Sequence, residues 1–306
     1  MLTLKEMTLG DLEAIRPYLE TRTSRSCDDT VADMLMWREW FGKSWTVVEK
    51  SLVVHMKGYD EQPAYMVPLG GSEDSRRAAL EAIVEHSHAN GETLRFMAVP
   101  DDDLEWLQTL NEEGVLQGKL DVQTNPAWWD YVYTAEDMVT LSGRKYSTQR
   151  NHINKFNRDY PMYTFEQIDD SNLEALKNFF DAFEDQYQKD QPILAEERVR
   201  IAEILNNREL YQPLTGCLKL GEYVIGFTIG EIIGDTLFSH VEKASSEIPG
   251  AYPVLTQNFN AYVTEKHPEV AYINREEDMG DPGLKQAKEA YNPIFMVKKH
   301  LVTVRR

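Results

Sequence analysis

Along this chain the apolar positions recur with two spacings, and each change of spacing marks a new element. Residues 2–6 read as a short strand, and 10–21 keep the spacing of a helix. Asp28, Asp29 and Thr30 offer capping groups for a second helix, in which Val31, Met34, Trp37 and Phe41 share one side. Trp45–Val48, Ser51–Met56 and Ala64–Pro68 read as strands. A helix over 75–89 leads to a strand over Thr93–Val99. Pro100 and three aspartates then open a helix over 101–111, the acids suiting the positive end of its dipole.

The second half repeats this rhythm. Ser171 and Glu174 have the spacing of a capping box, and Leu173, Leu176, Phe180, Phe183 and Tyr187 form one apolar stripe. Pro192 and an acidic helix over 195–206 follow. Strands are predicted at 215–220 and 223–232, then, after a Gly234-Asp235 turn, at 236–243. Pro249-Gly250 opens a helix over 252–265, and 270–274 is a strand. Asp281-Pro282 starts a helix with proline at its first position, and 294–304 is a final strand. Both halves thus read strand, two helices, three strands, helix, strand, helix, strand. No residue-level repeat accompanies this order, so duplication is read from the elements alone.

Length agrees with that division. A chain of 306 residues suits two domains of about 150 residues each, expected at 1–130 and 131–306. Apolar residues at 42% and charged residues at 27% are an ordinary globular composition. Cys27 and Cys217 stand far apart with no Cys/His spacing, which suits a reducing compartment and offers no metal framework. The first twenty residues carry acids and no apolar core, so no signal peptide is expected. No run of eighteen apolar residues is present, so no transmembrane segment is expected either. These features predict a cytoplasmic protein.

Charge narrows the partners. With 32 basic against 51 acidic side chains the net charge is −19, a field that repels nucleic acid and anionic lipid at long range. An anionic ligand therefore needs a local basic patch. One stretch supplies it: 143–160, GRKYSTQRNHINKFNRDY, sets Arg144, Lys145, Arg150, Lys155 and Arg158 against Asp159 alone. A solvated helix face is the competing reading.

Two short segments carry candidate chemistry. In 236–243, TLFSHVEK, strand alternation puts Phe238, His240 and Glu242 on one face. In 270–284, VAYINREEDMGDPGL, a strand runs into Asn274, Arg275, Glu276, Glu277 and Asp278, followed by a glycine turn and a helix start. Polar groups at the carboxyl end of a strand, facing a helix N-terminus, are a common site arrangement in α/β folds. A purely structural ion-pair cluster is the alternative, since buried charges must be paired. The nucleophile-elbow, phosphate-loop, dinucleotide and HExxH patterns are absent from the sequence. Trp128-Trp129 beside Pro126 reads as an interdomain packing cluster.

Three runs, GRKYSTQRNHINKF (143–156), HVEKASSEIPGAYPVLTQNF (240–259) and YINREEDMGDPGLKQAKEAYNP (272–293), resemble the family typified by the C-terminal catalytic domain of bacterial phosphatidylglycerol lysyltransferases. The resemblance covers nearly the whole chain, including DMLMWREWFG at 33–42. It implies an α/β (α+β) fold of two tandem GNAT-like acyltransferase domains, each a mixed sheet flanked by helices. It also implies direct passage of an activated aminoacyl or acyl group to an amine or hydroxyl. The membrane helices of the full lipid synthases are missing from this sequence, which counts against phosphatidylglycerol itself as acceptor. The phosphate loop of ordinary GNAT domains, [Q/R]xxGx[G/A], corresponds here to Glu247–Tyr252, where an acid and a phenol ring crowd the N–H groups that phosphate needs. Acetyl-CoA is therefore a less favoured donor than aminoacyl-tRNA or another activated aminoacyl or acyl donor, and no tightly bound cofactor is expected.

On this reading the site is metal-free. His240, Glu242, Arg275 and Glu276 are the catalytic candidates: Glu242, His240 or Glu276 as base, and Arg275 or Lys243 as oxyanion donor. Lys145, Arg150, Lys243, Tyr252, Asn274, Asp278 and Lys288 are the substrate-binding candidates. The basic segment would hold the donor's phosphates, which makes tRNA a candidate partner beside a small-molecule or lipid-like acceptor. Two alternatives remain open at this stage: a binding protein that keeps the pocket without catalysis, and an acyl-CoA-dependent N-acetyltransferase.

Overall fold

In chain order the first half of the protein runs β1 (Lys5–Glu6), α1 (Leu12–Leu19), α2 (Val31–Met36), β2 (Ser44–Val48), β3 (Ser51–Lys57), β4 (Pro63–Tyr65), α3 (Glu73–Ala89), β5 (Arg95–Pro100), α4 (Asp101–Glu112) and β6 (Lys119–Thr124). The second runs β7 (Asp130–Thr134), α5 (Ala135–Thr140), α6 (Ser147–Asp159), β8 (Tyr163–Glu166), α7 (Leu173–Tyr187), α8 (Pro192–Asn206) and α9 (Arg208–Tyr211). It continues through β9 (Leu214–Leu220), β10 (Tyr223–Ile233), β11 (Thr236–Ala244), α10 (Ala251–Lys266), β12 (Tyr272–Asn274), α11 (Pro282–Glu289), β13 (Phe295–Val297) and β14 (Lys299–Arg305). The computed structural model describes residues 1–22, 24–187 and 192–305, and the side chains of Gln186 and Tyr187, the last of the predicted stripe, lie outside that set.

Local chemistry accounts for many of the helix starts. Thr30 Oγ1 accepts the Asp33 N–H at 3.2 Å, Ser72 Oγ accepts that of Ser75 at 3.2 Å, and Asp281 Oδ1 accepts that of Leu284 at 2.8 Å. The predicted capping role of Ser171 is not what its hydroxyl does: it donates to Asp169 Oδ1 at 2.6 Å, and Leu173 N–H goes to the Asp169 carbonyl. Gly250 precedes α10 with φ +93, and a Cβ there would meet the His152 carbonyl oxygen at 2.8 Å. That close approach of α6, together with the positive φ, is why the position needs glycine.

Two sheets organise these elements. One has the order β1-β2-β3-β4-β5-β14-β6, the other β13-β7-β12-β11-β10-β9-β8. Each is mixed. In the first, β4 and β5 pair in parallel across α3; in the second, β11 and β12 pair in parallel across α10. Read from β1 and from β8, the two orders correspond place by place, with β14 in the first sheet standing where β7 stands in the second. The two halves therefore hold equivalent sheets; the sixth place is filled in the first by β14, from beyond its own run of sequence, and in the second by β7, which opens its own run.

The compact units follow the sheets. One comprises Met1–Asp130, Glu277–Gly280 and Met296–Arg306, the other Tyr131–Glu276 and Asp281–Phe295. In the first, Leu80, Ile83, Phe96, Leu107 and Val302 are fully buried in one cluster. In the second, Leu176 and Phe180 of α7 are buried, and Phe180 meets Phe227 of β10 edge-on at 5.4 Å. Trp128 stacks on Tyr59 within the first unit, at 6.4 Å between centroids.

Candidate functional site

Strands β11 and β12 are paired over only three residues, from Thr236 opposite Tyr272 to Phe238 opposite Asn274. Beyond that point β11 continues to Ala244, while β12 ends at Asn274. The chain leaving β12 is fixed by its backbone: Arg275 N–H donates to the Tyr131 carbonyl at 3.0 Å, and Glu276 N–H to Asn274 Oδ1 at 2.6 Å. Glu276 takes φ +59, the left-handed region that non-glycine residues seldom occupy. Asn274, fully buried, is what holds this turn.

Where the strands part, side chains bridge them. His240 Nδ1 lies 2.7 Å from Glu276 Oε1, and its Nε2 lies 2.9 Å from Glu231 Oε1. Its ring stacks against Phe238, two residues earlier on the same strand face, with 9° between the planes. Burial alone would lower the imidazole pKa, but the hydrogen bonds to Glu231 and Glu276 outweigh it and raise it to about 10. At neutral pH His240 is therefore an imidazolium donating from both nitrogens. Its side chain is 1% exposed, against 26% for Glu276, which is the open end of this triad.

Beside it, the Arg275 guanidinium is bound to Glu242. Nε donates to Oε2 at 3.1 Å and Nη2 to the same oxygen at 2.5 Å, with both side chains 10% exposed. The guanidinium carbon lies 4.9 Å from the centroid of the Tyr291 ring. Burial opposes the charge, and the carboxylate of Glu242 and the rings of Tyr133 and Tyr291 restore it, so Arg275 stays protonated. Burial pushes the Tyr291 phenol up to about 12, against the pull of Arg275. Nη1 of Arg275 is buried with no hydrogen-bond partner among the described residues. Two cations and three carboxylates leave the group with one net negative charge.

The other candidates are placed as follows. Lys243 pairs with Glu197 at 2.9 Å, on α8, rather than with the carboxylates of the bridge. Lys145 pairs with Asp137 at 2.9 Å, and Arg150 Nη1 donates to the carbonyls of Leu141 and Gly143, the latter at 2.6 Å. Arg150 thus closes the end of α5, while Arg144, Lys155 and Arg158 stay exposed. Tyr252, in the first turn of α10, is 38% exposed. The Lys288 ammonium is 6.0 Å from the centroid of Tyr131, and its carbonyl accepts from Tyr133 Oη at 2.8 Å. Asp278 belongs to the first unit, where its Oδ1 accepts the Gly280 N–H at 2.7 Å.

Glu231 had a legible signal that alternation on 236–243 did not reach: it is a lone acid in the apolar run VIGFTIGEII of β10. The second missed group lies in the first unit. Lys299 Nζ is 2.8 Å from Asp28 Oδ2, 2.8 Å from Asp130 Oδ1 and 2.9 Å from Glu277 Oε2, and donates to Cys27 Sγ at 3.5 Å. Burial raises the Asp130 pKa against the pull of Lys299, and burial likewise pushes the Cys27 thiol up. For Glu277 burial is outweighed by the ammonium, which holds its carboxyl well below the usual range. Cys27, Asp130 and Glu277 converge closely enough to be metal ligands, and the Lys299 ammonium lies in contact with all three. Among the described residues no helix is long and apolar enough to cross a membrane.

The family model described as "Phosphatidylglycerol lysyltransferase, C-terminal" matches residues 20–303. A conserved protein of unknown function from Bacteroides thetaiotaomicron is similar over 100% of both chains, with 28% identity and a TM-score of 0.86. The structure of L-PGS from Bacillus licheniformis shares the fold at a TM-score of 0.68 and 16% identity, over 99% of this chain and 94% of that one. An uncharacterised protein of Mycoplasmoides gallisepticum is 24% identical over 66% of this chain, and the match spans 62% of that relative's length.

Proposed function

The chain belongs to the family of phosphatidylglycerol lysyltransferase C-terminal domains, and from that premise we propose that its second unit transfers an activated aminoacyl or acyl group to an amine or hydroxyl acceptor. The observation that carries the reading is the Nη1 of Arg275, a buried cationic donor that the described residues leave unmet. An unmet buried donor costs about 1–3 kcal/mol, more when charged, and a ligand oxygen would remove that cost. An acyl carbonyl provides such an oxygen, and its charge grows as the carbonyl is attacked.

The roles follow from the distances. The acceptor's nitrogen or oxygen attacks the acyl carbon, and its proton passes to the carboxylate of Glu276. The oxyanion accepts from Arg275, which Glu242 holds in place. Collapse breaks the acyl–oxygen ester bond, and the leaving oxygen takes the proton back from Glu276. His240 is not the base in this scheme, because both of its nitrogens carry protons. It holds Glu276 in place through the hydrogen bond from Nδ1. The net negative charge of the group favours a cationic amine, either on the acceptor or on the acyl group being moved. Aminoacyl-tRNA is the donor we favour, met by the exposed cations of α6 and the turn before it, with a lipid-like or small amine as acceptor.

The test is a transfer assay with lysyl-tRNA and other charged tRNAs, a panel of acyl-CoA thioesters, phosphatidylglycerol vesicles and soluble amines. Transfer by the parent protein should fall about 10²–10³-fold in Arg275→Lys, which keeps the charge but loses the fork. It should fall about 10²–10⁴-fold in Glu276→Gln. Full activity in Arg275→Lys, or no transfer by the parent from any donor to any acceptor, would overturn the reading.

A further inference from the structure

The first unit holds a cavity of about 460 Å³ to which no part of the transfer reaction has been assigned. That volume is in the range of small-molecule sites. Its inner wall is built on Asp103, the third residue of α4, which is 5% exposed. Asp103 Oδ2 receives Arg22 Nη2 at 2.8 Å and Oδ1 receives Arg76 Nη2 at 2.7 Å. Arg22 is further fixed by Nε on Asp29 Oδ2 at 2.8 Å, and Arg76 by Nε on the Pro68 carbonyl at 3.0 Å. The Arg76 guanidinium also lies over the Trp106 ring at 4.4 Å. Both forks are therefore rigid, and their remaining nitrogens, Nη1 of Arg22 and Nη1 of Arg76, have no hydrogen-bond partner among the described residues. The indole Nε1 of Trp106 is buried and likewise without a partner among them.

One buried donor without a partner and two guanidinium nitrogens that bond no described residue, all at one wall, suit an acceptor group, and two of the three are cationic. The mouth is of the opposite kind. Glu73 and Asp102, both exposed, line it with carboxylates that have no partner among the described residues. Charge decides between the ligands this could suit. Arg22 and Arg76 face Glu73, Asp102 and Asp103 in the lining, with Asp29 directly behind, so the surroundings are net negative. A phosphate dianion would meet fixed donors but a repulsive field. A molecule with a carboxylate at one end and an ammonium a few atoms away meets complementary charge at both. The starts of α3 and α4, to which Glu73 and Asp102 belong, add a favourable dipole for the carboxylate.

We propose that this cavity binds a small zwitterion of the α-amino acid class, its carboxylate taken by Arg22 and Arg76 and its ammonium by Glu73 and Asp102. The site is independent of the transfer chemistry in the second unit and stands or falls separately from it.

Calorimetric titration of the full chain at pH 7 tests the proposal, with L-alanine, L-leucine, L-lysine and L-glutamate as probes. Acetate, methylammonium and inorganic phosphate serve as single-charge and phosphate controls. At least one of the four amino acids should bind saturably below about 10 mM, and each control at least about tenfold more weakly. Arg76→Gln should weaken the best ligand about tenfold or more, and Asp102→Asn, an exposed change that leaves the Asp103 network intact, about fivefold. The proposal is overturned if none of the four binds, if both variants bind as the parent does, or if phosphate binds more tightly than every amino acid.

Discussion

Replacing Lys299 by methionine keeps the length and apolar stem of the side chain and removes only its charge. In the parent protein that ammonium is within 2.9 Å of Asp28, Asp130 and Glu277. Its removal leaves three carboxylates and a thiol facing one another with no cation. Breaking a buried pair in this way costs about 3–5 kcal/mol. Protonation offers an independent bound: forcing a proton onto a carboxyl of ordinary pKa near 4 costs about 4 kcal/mol at pH 7 and about 1.4 kcal/mol at pH 5. The loss should therefore shrink by about 2–3 kcal/mol between pH 7 and pH 5. Glu277 of the parent does not add to this change: its lowered pKa contributes stability that is fully present above its unfolded value of 4.5 and is lost only as pH falls from there through the folded one. Trp37, Trp40, Trp45, Trp106, Trp128 and Trp129 are all the tryptophans of the chain and all lie in the first unit. Urea unfolding followed by tryptophan fluorescence therefore reports this unit alone. A variant within about 1 kcal/mol of the parent at pH 7, or a gap of equal size at pH 7 and pH 5, would refute the reasoning.

Two further outcomes test the second unit. The folded pKa of His240, about 10 against 6.5 unfolded, means its contribution is complete below pH 6.5 and disappears as pH rises through about 10. Unfolding followed by far-ultraviolet circular dichroism of the whole chain, with tryptophan fluorescence marking the first unit's share, should show that alkaline loss in the parent and not in His240→Gln; matching pH profiles would remove the imidazolium from the account. Arg150→Gln should cost about 1–2 kcal/mol of stability by freeing the carbonyls of Leu141 and Gly143, with the salt dependence of tRNA binding unchanged. Lys155→Gln should do the reverse, lowering the salt slope by about one; equal slopes in the two variants would return α6 to a merely solvated face.

Much of the side-chain cluster at the candidate site was legible in the sequence, for definite reasons. Alternation on TLFSHVEK set Phe238, His240 and Glu242 on one face, and the stacked rings of Phe238 and His240 show that face directly. The polar run after Asn274 identified the partners, Arg275 and Glu276, although nothing local to the run tells which carboxylate each cation meets. Glu277 and Glu276 are neighbours in sequence yet serve different units, because the positive φ of Glu276 turns the chain between them. A strand pattern cannot carry that information. Strand β6, mostly exposed and polar in KLDVQT, has no apolar alternation to read. Strand β7 hides for the opposite reason: DYVYT is buried from Asp130 to Tyr133 and shows no polar face. The expected strand over 294–304 divides into β13 and β14, which enter different sheets. The basic segment shows where charge counting stops, since Lys145 and Arg150 are spent on Asp137 and on backbone carbonyls.

The place of β14 has a consequence for how the protein comes into being on the ribosome. It lies between β5 and β6 and pairs with both, yet it is translated after every residue of the second unit. While the chain is growing, β5 and β6 have open edges where that strand will go, and the Lys299 cluster has its carboxylates but not its lysine. The second sheet meets no such delay at its sixth place, because β7 is made before all of its neighbours. Vectorial synthesis thus leaves the upstream unit incomplete until β14 emerges, although the usual amino-to-carboxyl order would close that unit before the downstream one. In the interval, the unpaired edges of β5 and β6 are the surfaces on which a chaperone would act and from which aggregation would start.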